Sequence, residues 1–168
     1  MNTKTILLVL TIILATMDIS AQTKKQKIMA GYTIDNYEVK CLGTGKDGTQ
    51  AMMVYGYGKK PEKAIIQAKR NAVHAVIFKG IYTGEPGCTK KPLVKDPSVE
   101  SEYQEYFNTF FEEGGAYLNY IALSGKGARE SVKIKKVYKV GIAVSVMKDQ
   151  LREELERQGI IKSLGSGF

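Results

Sequence analysis

Alanine recurs at helical spacing between Pro61 and Gly80, where leucine would bury more surface. Ala64, Ile65, Ala68, Ala72, Ala75, Val76 and Lys79 fall on one side of a helix. Alanine adds little buried area, so its place on an inner face implies close approach of the helix backbone to a sheet. Pro61 suits the first turn, where a missing N–H has no partner to lose. Gly80 suits the carboxyl cap. Ile65, Val76 and Phe78 would close the edges of the contact, and small residues on the helix predict larger ones on the facing strands. Upstream, Val54-Tyr55-Gly56-Tyr57-Gly58 leads into Lys59-Lys60. Gly56 and Gly58 read as the residues that let the chain leave a strand and turn into the helix. The lysine pair at the helix start is the only support for an anion-binding role of that turn.

Strand patterns flank this helix. Tyr37, Val39 and Cys41 share one face, with Glu38 and Lys40 opposite. The run Gly43-Thr44-Gly45-Lys46-Asp47-Gly48 then precedes a second strand over residues 49–57, which reads as a β-hairpin with an Asp-Gly turn. The loop also fits G-x-G-x-x-G, but a dinucleotide site needs a helix after the glycines, and a strand follows here. Near the carboxyl end, Val132, Ile134, Tyr138, Val140, Ile142, Val144 and Val146 all carry even numbers, which places them on one face of a long strand interrupted only by Lys136. Its other face begins with Lys133, Lys135 and Lys139 and ends with Gly141, Ala143 and Ser145. The lysine half should project into solvent as an open edge, and the small-residue half should lie beneath a helix.

Residues 96–114 read as a second helix, capped by Asp96 or Ser98 and ended by Gly114. Val99, Tyr103, Tyr106, Phe107, Phe110 and Phe111 form its aromatic stripe. That stripe is a core-facing side or, alternatively, a partner-binding surface with Tyr103 and Phe107 at its centre. Residues 116–123 read as a strand, 124–127 as a turn, and 150–158 as a last helix, with Leu151 and Leu155 inward and Gly159 closing it. The expected architecture is α+β: a two-layer sandwich of a mostly antiparallel sheet of about four strands, the alanine-rich helix packed on it, and two further helices. The single domain should span residues 37–159, preceded by a polar basic arm at 22–36 and followed by a flexible tail at 160–168.

The amino terminus has the form of a secretory signal peptide over residues 1–21. Lys4 precedes an apolar run from Ile6 to Ala15, and Ile19-Ser20-Ala21 offers a cleavage site before Gln22. The run is short for a bilayer span, although an amino-terminal anchor is the competing reading. An extracytoplasmic, periplasmic or secreted chain is therefore expected, and not an integral membrane protein. The formal charge is +8, and cleavage removes Lys4 and Asp18 together, leaving it unchanged. A basic balance suits nucleic acid, an anionic surface, an acidic protein or simple solubility, and export makes nucleic acid the weakest of these. Cys41 and Cys88 are the two cysteines. In an oxidising compartment they can pair, but spacing does not bring them together, so a disulfide and two unpaired thiols both stand as readings.

The run Val54-Tyr55-Gly56-Tyr57-Gly58 before Ala64, Ala68 and Ala72, and the strand at 139–147 running into Lys148-Asp149-Gln150-Leu151, resemble a recurrent envelope module. It is found in the amino-terminal domain of the flagellar assembly protein T and in related small outer-envelope lipoproteins. The resemblance implies a small α/β domain that serves envelope assemblies as a structural or interaction part, without catalytic residues. This chain departs from it in having no lipid-bearing cysteine at the cleavage site and in carrying the aromatic helix between the matching stretches.

Chemistry-bearing residues are sparse. One histidine, His74, and two cysteines do not make up a zinc set of conventional spacing. A Cys–His nucleophile pair lacks an orienting group, and His74 reads as a residue at the rim of the helix. The Glu112-Glu113 and Glu153-Glu154 pairs point in different directions on a helix and read as solvated faces. The chain is thus expected to be a non-catalytic structural or protein-interaction module of the cell envelope, needing no cofactor or metal. Its candidate partner-binding residues are Lys133, Lys135, Lys136 and Lys139, together with Tyr103 and Phe107, and they suit an acidic envelope protein. A second reading is a binding protein for an anionic polymer or lipid head group, resting on the same lysines and on Lys24, Lys25 and Lys27. A third is an extracytoplasmic enzyme.

Overall fold

The computed structural model describes residues 37–45, 47–124 and 130–163. The expected signal peptide, the basic arm, the 125–127 part of the turn and the end of the tail lie outside the described residues. The strands are β1 (Val39–Thr44), β2 (Gln50–Gly58), β3 (Ile121–Leu123), β4 (Glu130–Ile134) and β5 (Val137–Val146). The α-helices are α1 (Pro61–His74), α2 (Ser98–Glu102), α3 (Gln104–Phe110) and α4 (Lys148–Arg157). A π-helical turn, Ala75–Lys79, extends α1, and a 3-10 helix, Ala116–Tyr120, precedes β3.

All strand pairings are antiparallel, in the order β1-β2-β5-β3, and β4 pairs β5 beside β3. The fold is α+β, as the sequence pattern predicts, with five strands in a sheet four positions wide. The even-numbered residues of β2 and β5 face α1. Met52, Val54, Val140, Ile142, Val144 and Val146 are buried on that side against the fully buried Ala64, Ala68, Ala72 and Ala75.

Gly56 and Gly58 explain how the helix comes so close, and they correct the sequence reading. Both lie within β2, and neither takes a positive φ. A Cβ on Gly56 would overlap the Ala64 carbonyl oxygen and the Ala68 nitrogen and would stand 2.9 Å from the Ala68 Cα. A Cβ on Gly58 would stand 2.6 Å from the Ala64 nitrogen. The absence of a side chain, and not torsional freedom, is what these positions require. At these two positions small residues on the helix meet small residues on the strand, beside the larger partners, among them Val54 and Ile142, that the alanine face predicts. Asn71 completes the contact: its buried amide donates to the Tyr55 carbonyl at 2.9 Å, close to where β1 begins.

The reading of residues 130–147 as one strand is also corrected. The chain reverses at Lys135-Lys136, with Lys135 at φ 56°, and Ile134 pairs with Val137. A residue at positive φ is what the tight two-residue hairpin turn requires. The turn changes the parity of the pattern. Val132 lies opposite Lys139 and Ser131 opposite Val140, so Val132 and Ile134 face away from α1 instead of sharing the face of Ile142. On that second face the Tyr55 ring, and not a helix, occupies the space over Gly141, where a Cβ would stand 2.7 Å from Tyr55 Cε1.

The aromatic helix is broken at Tyr103 into α2 and α3, and its stripe turns inward. Phe107, Phe110 and Phe111 are buried, with Phe107 edge-on to Phe78 at 4.8 Å. Residues 116–120 are helical where a strand was expected, and this turn drives Tyr117 into the core at 1% exposure. Helix α4 buries Leu151 and Leu155. Gly159, at φ 71°, ends it with the paired bonds Gly159 N–H to Glu156 and Ile160 N–H to Leu155. Ile160 is buried by this cap, so the packed chain continues past the expected boundary at residue 159.

Candidate interaction surface

The two edges of the sheet are finished differently. At the β1 edge, the segment after Gly80 runs alongside the strand. The Cys41 N–H donates to the Thr83 carbonyl at 2.8 Å, and the Glu85 N–H donates to the Cys41 carbonyl at 2.9 Å. The Cys41–Cys88 disulfide, with Cα atoms 5.8 Å apart, fastens this cover and decides between the two cysteine readings. Such a bridge is compatible with an extracytoplasmic location. Covering an edge satisfies backbone groups that would otherwise accept a foreign strand.

The β4 edge has another character. All five residues of β4 are exposed, among them Val132 at 56% and Ile134 at 51%. Both side chains stand on the face turned away from α1, beside a polar network. There the Tyr55 hydroxyl donates to Glu130 at 2.8 Å, and Lys139 bonds Glu38 at 2.6 Å with its ammonium 4.4 Å from the Tyr55 ring centre. The bond to Glu38 raises the Lys139 pKa above the usual lysine range, and the bond to Glu130 raises that of Tyr55. These groups brace β2, β5 and β4 across the open face.

The hairpin divides the predicted lysine cluster. Lys139 is held in the brace. Lys133 lies on the opposite face with its ammonium 5.4 Å from the Tyr138 ring centre. Lys135 and Lys136 occupy the exposed turn. Lys133, Lys135 and Lys136 thus remain as a basic tip. Phe107 is in the core and is withdrawn as a partner-binding residue, while Tyr103 is half-buried with its hydroxyl 3.4 Å from the Gly159 carbonyl. Sequence parity put Val132 and Ile134 on the face of Ile142, in a strand half expected to project into solvent; the turn sets them on the other face.

His74 is not at a rim. It is 4% exposed, with Nδ1 2.9 Å from the Tyr37 hydroxyl and Nε2 3.3 Å from Glu100. Phe78 and Phe111 close round it at ring distances of 5.0 and 6.1 Å. The histidine bond holds the Glu100 carboxyl below the usual carboxylate range. This chain of three ties the start of β1 to α1 and α2. Both cysteines being in the disulfide, neither supplies a thiolate to it. Among the described residues, no three His, Cys, Asp or Glu side chains converge on a metal position. An open groove of about 290 Å³ lies beside Tyr37, Lys40, Lys79 and Tyr82, but the Lys79 ammonium is engaged there by the Tyr37 carbonyl at 2.9 Å. No helix among the described residues is long and apolar enough to cross a membrane. Comparison with protein-family models, curated proteins and solved structures gives no match to the chain.

Proposed function

We propose that the chain is an exported, non-catalytic interaction module of the cell envelope, with the β4–β5 hairpin as its docking element. One observation carries this reading: a short edge strand holds Val132 and Ile134 more than half in water next to a basic tip. Apolar side chains on a sheet edge cost solubility and invite pairing, so proteins normally blunt or cover such an edge. Here the β1 edge is covered, and among the described residues nothing covers the β4 edge. The leader-like amino terminus and the disulfide support export. The resemblance to the flagellar assembly protein T module fits the same role.

The test is pull-down from crosslinked envelopes with the wild-type chain and with a Val132→Ser/Ile134→Ser variant. A reproducible protein partner that the variant loses is expected. The absence of any reproducible partner for the wild type contradicts the module reading. The tip lysines also favour a second reading, binding of an anionic polymer or lipid head group. Retention on anionic vesicles that falls steeply with salt, without a protein partner, would select it.

A further inference from the structure

We infer that β4 receives an extended segment of the partner protein as an added strand, and that this segment alternates apolar and acidic side chains. The inference rests on the hairpin being the docking element. Ile134 and Val137 close the two-residue turn, so their backbone groups pair with each other. Antiparallel ladders alternate, which turns the groups of Val132 and Glu130 toward β5 and those of Ser131 and Lys133 away from it. The outward edge therefore offers two residues' worth of donors and acceptors in strand geometry, the requirement for β-strand addition.

The side chains specify what is added. An incoming strand would lay one set of side chains beside Val132 and Ile134, which gain by burial against apolar neighbours. Its alternate set would fall on the side of Lys133, and its end would reach the turn at Lys135 and Lys136. Carboxylates at those places neutralise the tip. Neutral or basic strands leave it uncompensated, so the lysines select among partners as well as suppressing random pairing. A second copy of this chain fits poorly. An antiparallel β4–β4 pair centred on Val132 sets the charged Glu130 of each copy against the apolar Ile134 of the other.

The experiment titrates the isotope-labelled chain with the peptide Glu-Val-Glu-Val-Glu-Val-Glu, capped at both ends, and with its lysine counterpart Lys-Val-Lys-Val-Lys-Val-Lys. The acidic peptide should bind and slow amide exchange at Ser131 and Lys133, and the basic one should not. Ser131→Pro removes an outward N–H without touching the β5 ladder and should weaken binding about tenfold, the worth of a lost hydrogen bond. The variant Lys133→Gln/Lys135→Gln/Lys136→Gln leaves the backbone intact and should abolish the preference for the acidic peptide. Equal binding of the two peptides, no binding of either, or shifts without protection of Ser131 and Lys133 would overturn strand addition. So would undiminished binding by a folded Ser131→Pro chain. A pull-down partner kept by Ser131→Pro would leave the module reading standing while removing this one.

Discussion

Gly56→Ala isolates the contact on which the whole sandwich depends. Gly56 does not use positive φ, so propensity alone favours alanine there by about 0.5–1 kcal/mol. Packing opposes it. The new methyl would overlap two backbone atoms of α1 and stand 2.9 Å from the Ala68 Cα. Carbon atoms rest at about 3.5–4.0 Å, so α1 must retreat by about 0.6 Å to clear that one atom. No rotamer change relieves a clash with backbone. The overpacking cost therefore sits at the upper end of its usual range, about 3 kcal/mol. The net loss is about 2 kcal/mol, or roughly 8 °C in Tm for a domain of this size. Urea unfolding followed by circular dichroism reads it directly. Gly114→Ala is the control: a Cβ there meets nothing within 4 Å, but φ is +85°, so it should cost only the torsional penalty of about 1 kcal/mol. A Gly56→Ala chain as stable as wild type, or more stable, would refute the close approach of helix and strand.

Three further outcomes follow from the same packing. Ala68→Leu, at a fully buried position, should cost about 1–3 kcal/mol in urea unfolding. Cys41→Ser/Cys88→Ser, or reduction with dithiothreitol, should cost about 4 kcal/mol by loop-closure entropy, because the bridge spans a separation of 47 residues; calorimetry of oxidised and reduced chain checks it. The Glu100 carboxyl has a folded pKa below its ordinary 4.5, so its contribution is complete above that pH and disappears as pH falls through the lowered value. Glu100→Gln should therefore be less stable than wild type at neutral pH and should lose less stability as the pH falls below the ordinary 4.5.

Much of the fold was legible because burial imposes a period. Ala64, Ala68 and Ala72 are inward as their spacing predicts, and Val140 to Val146 alternate because one face of β5 is covered by α1. Two kinds of information were not legible. A glycine in a strand and a glycine in a turn look alike in sequence, so Gly56 and Gly58 were assigned torsional freedom when they supply absent volume. The reversal at Lys135-Lys136 was invisible for a related reason. Hairpin turns announce themselves through Gly or Asn, and here a lysine takes the positive φ.

That one hidden turn decided the reading of the candidate site. Even-numbered residues keep their apolar character from Val132 to Val146 except at Lys136, yet the turn shifts the register so that Val132 meets Lys139. The 132–138 stretch was expected in solvent and its 132–136 part is exposed, but the apolar pair lies on the face opposite to Ile142, where parity had not put it. The disulfide was undecided for a simpler reason: pairing of residues 47 apart depends on the course of the loop that carries Cys88 along β1, which no local pattern encodes.

Photocrosslinking in cells that express the chain natively tests the docking edge most directly. A photoreactive residue at Val132 should give one discrete protein adduct, which disappears when Ser131→Pro is added. The same residue at exposed Glu102, on α2, should give none. No adduct from Val132, an equal adduct from Glu102, or an adduct indifferent to Ser131→Pro would contradict the account.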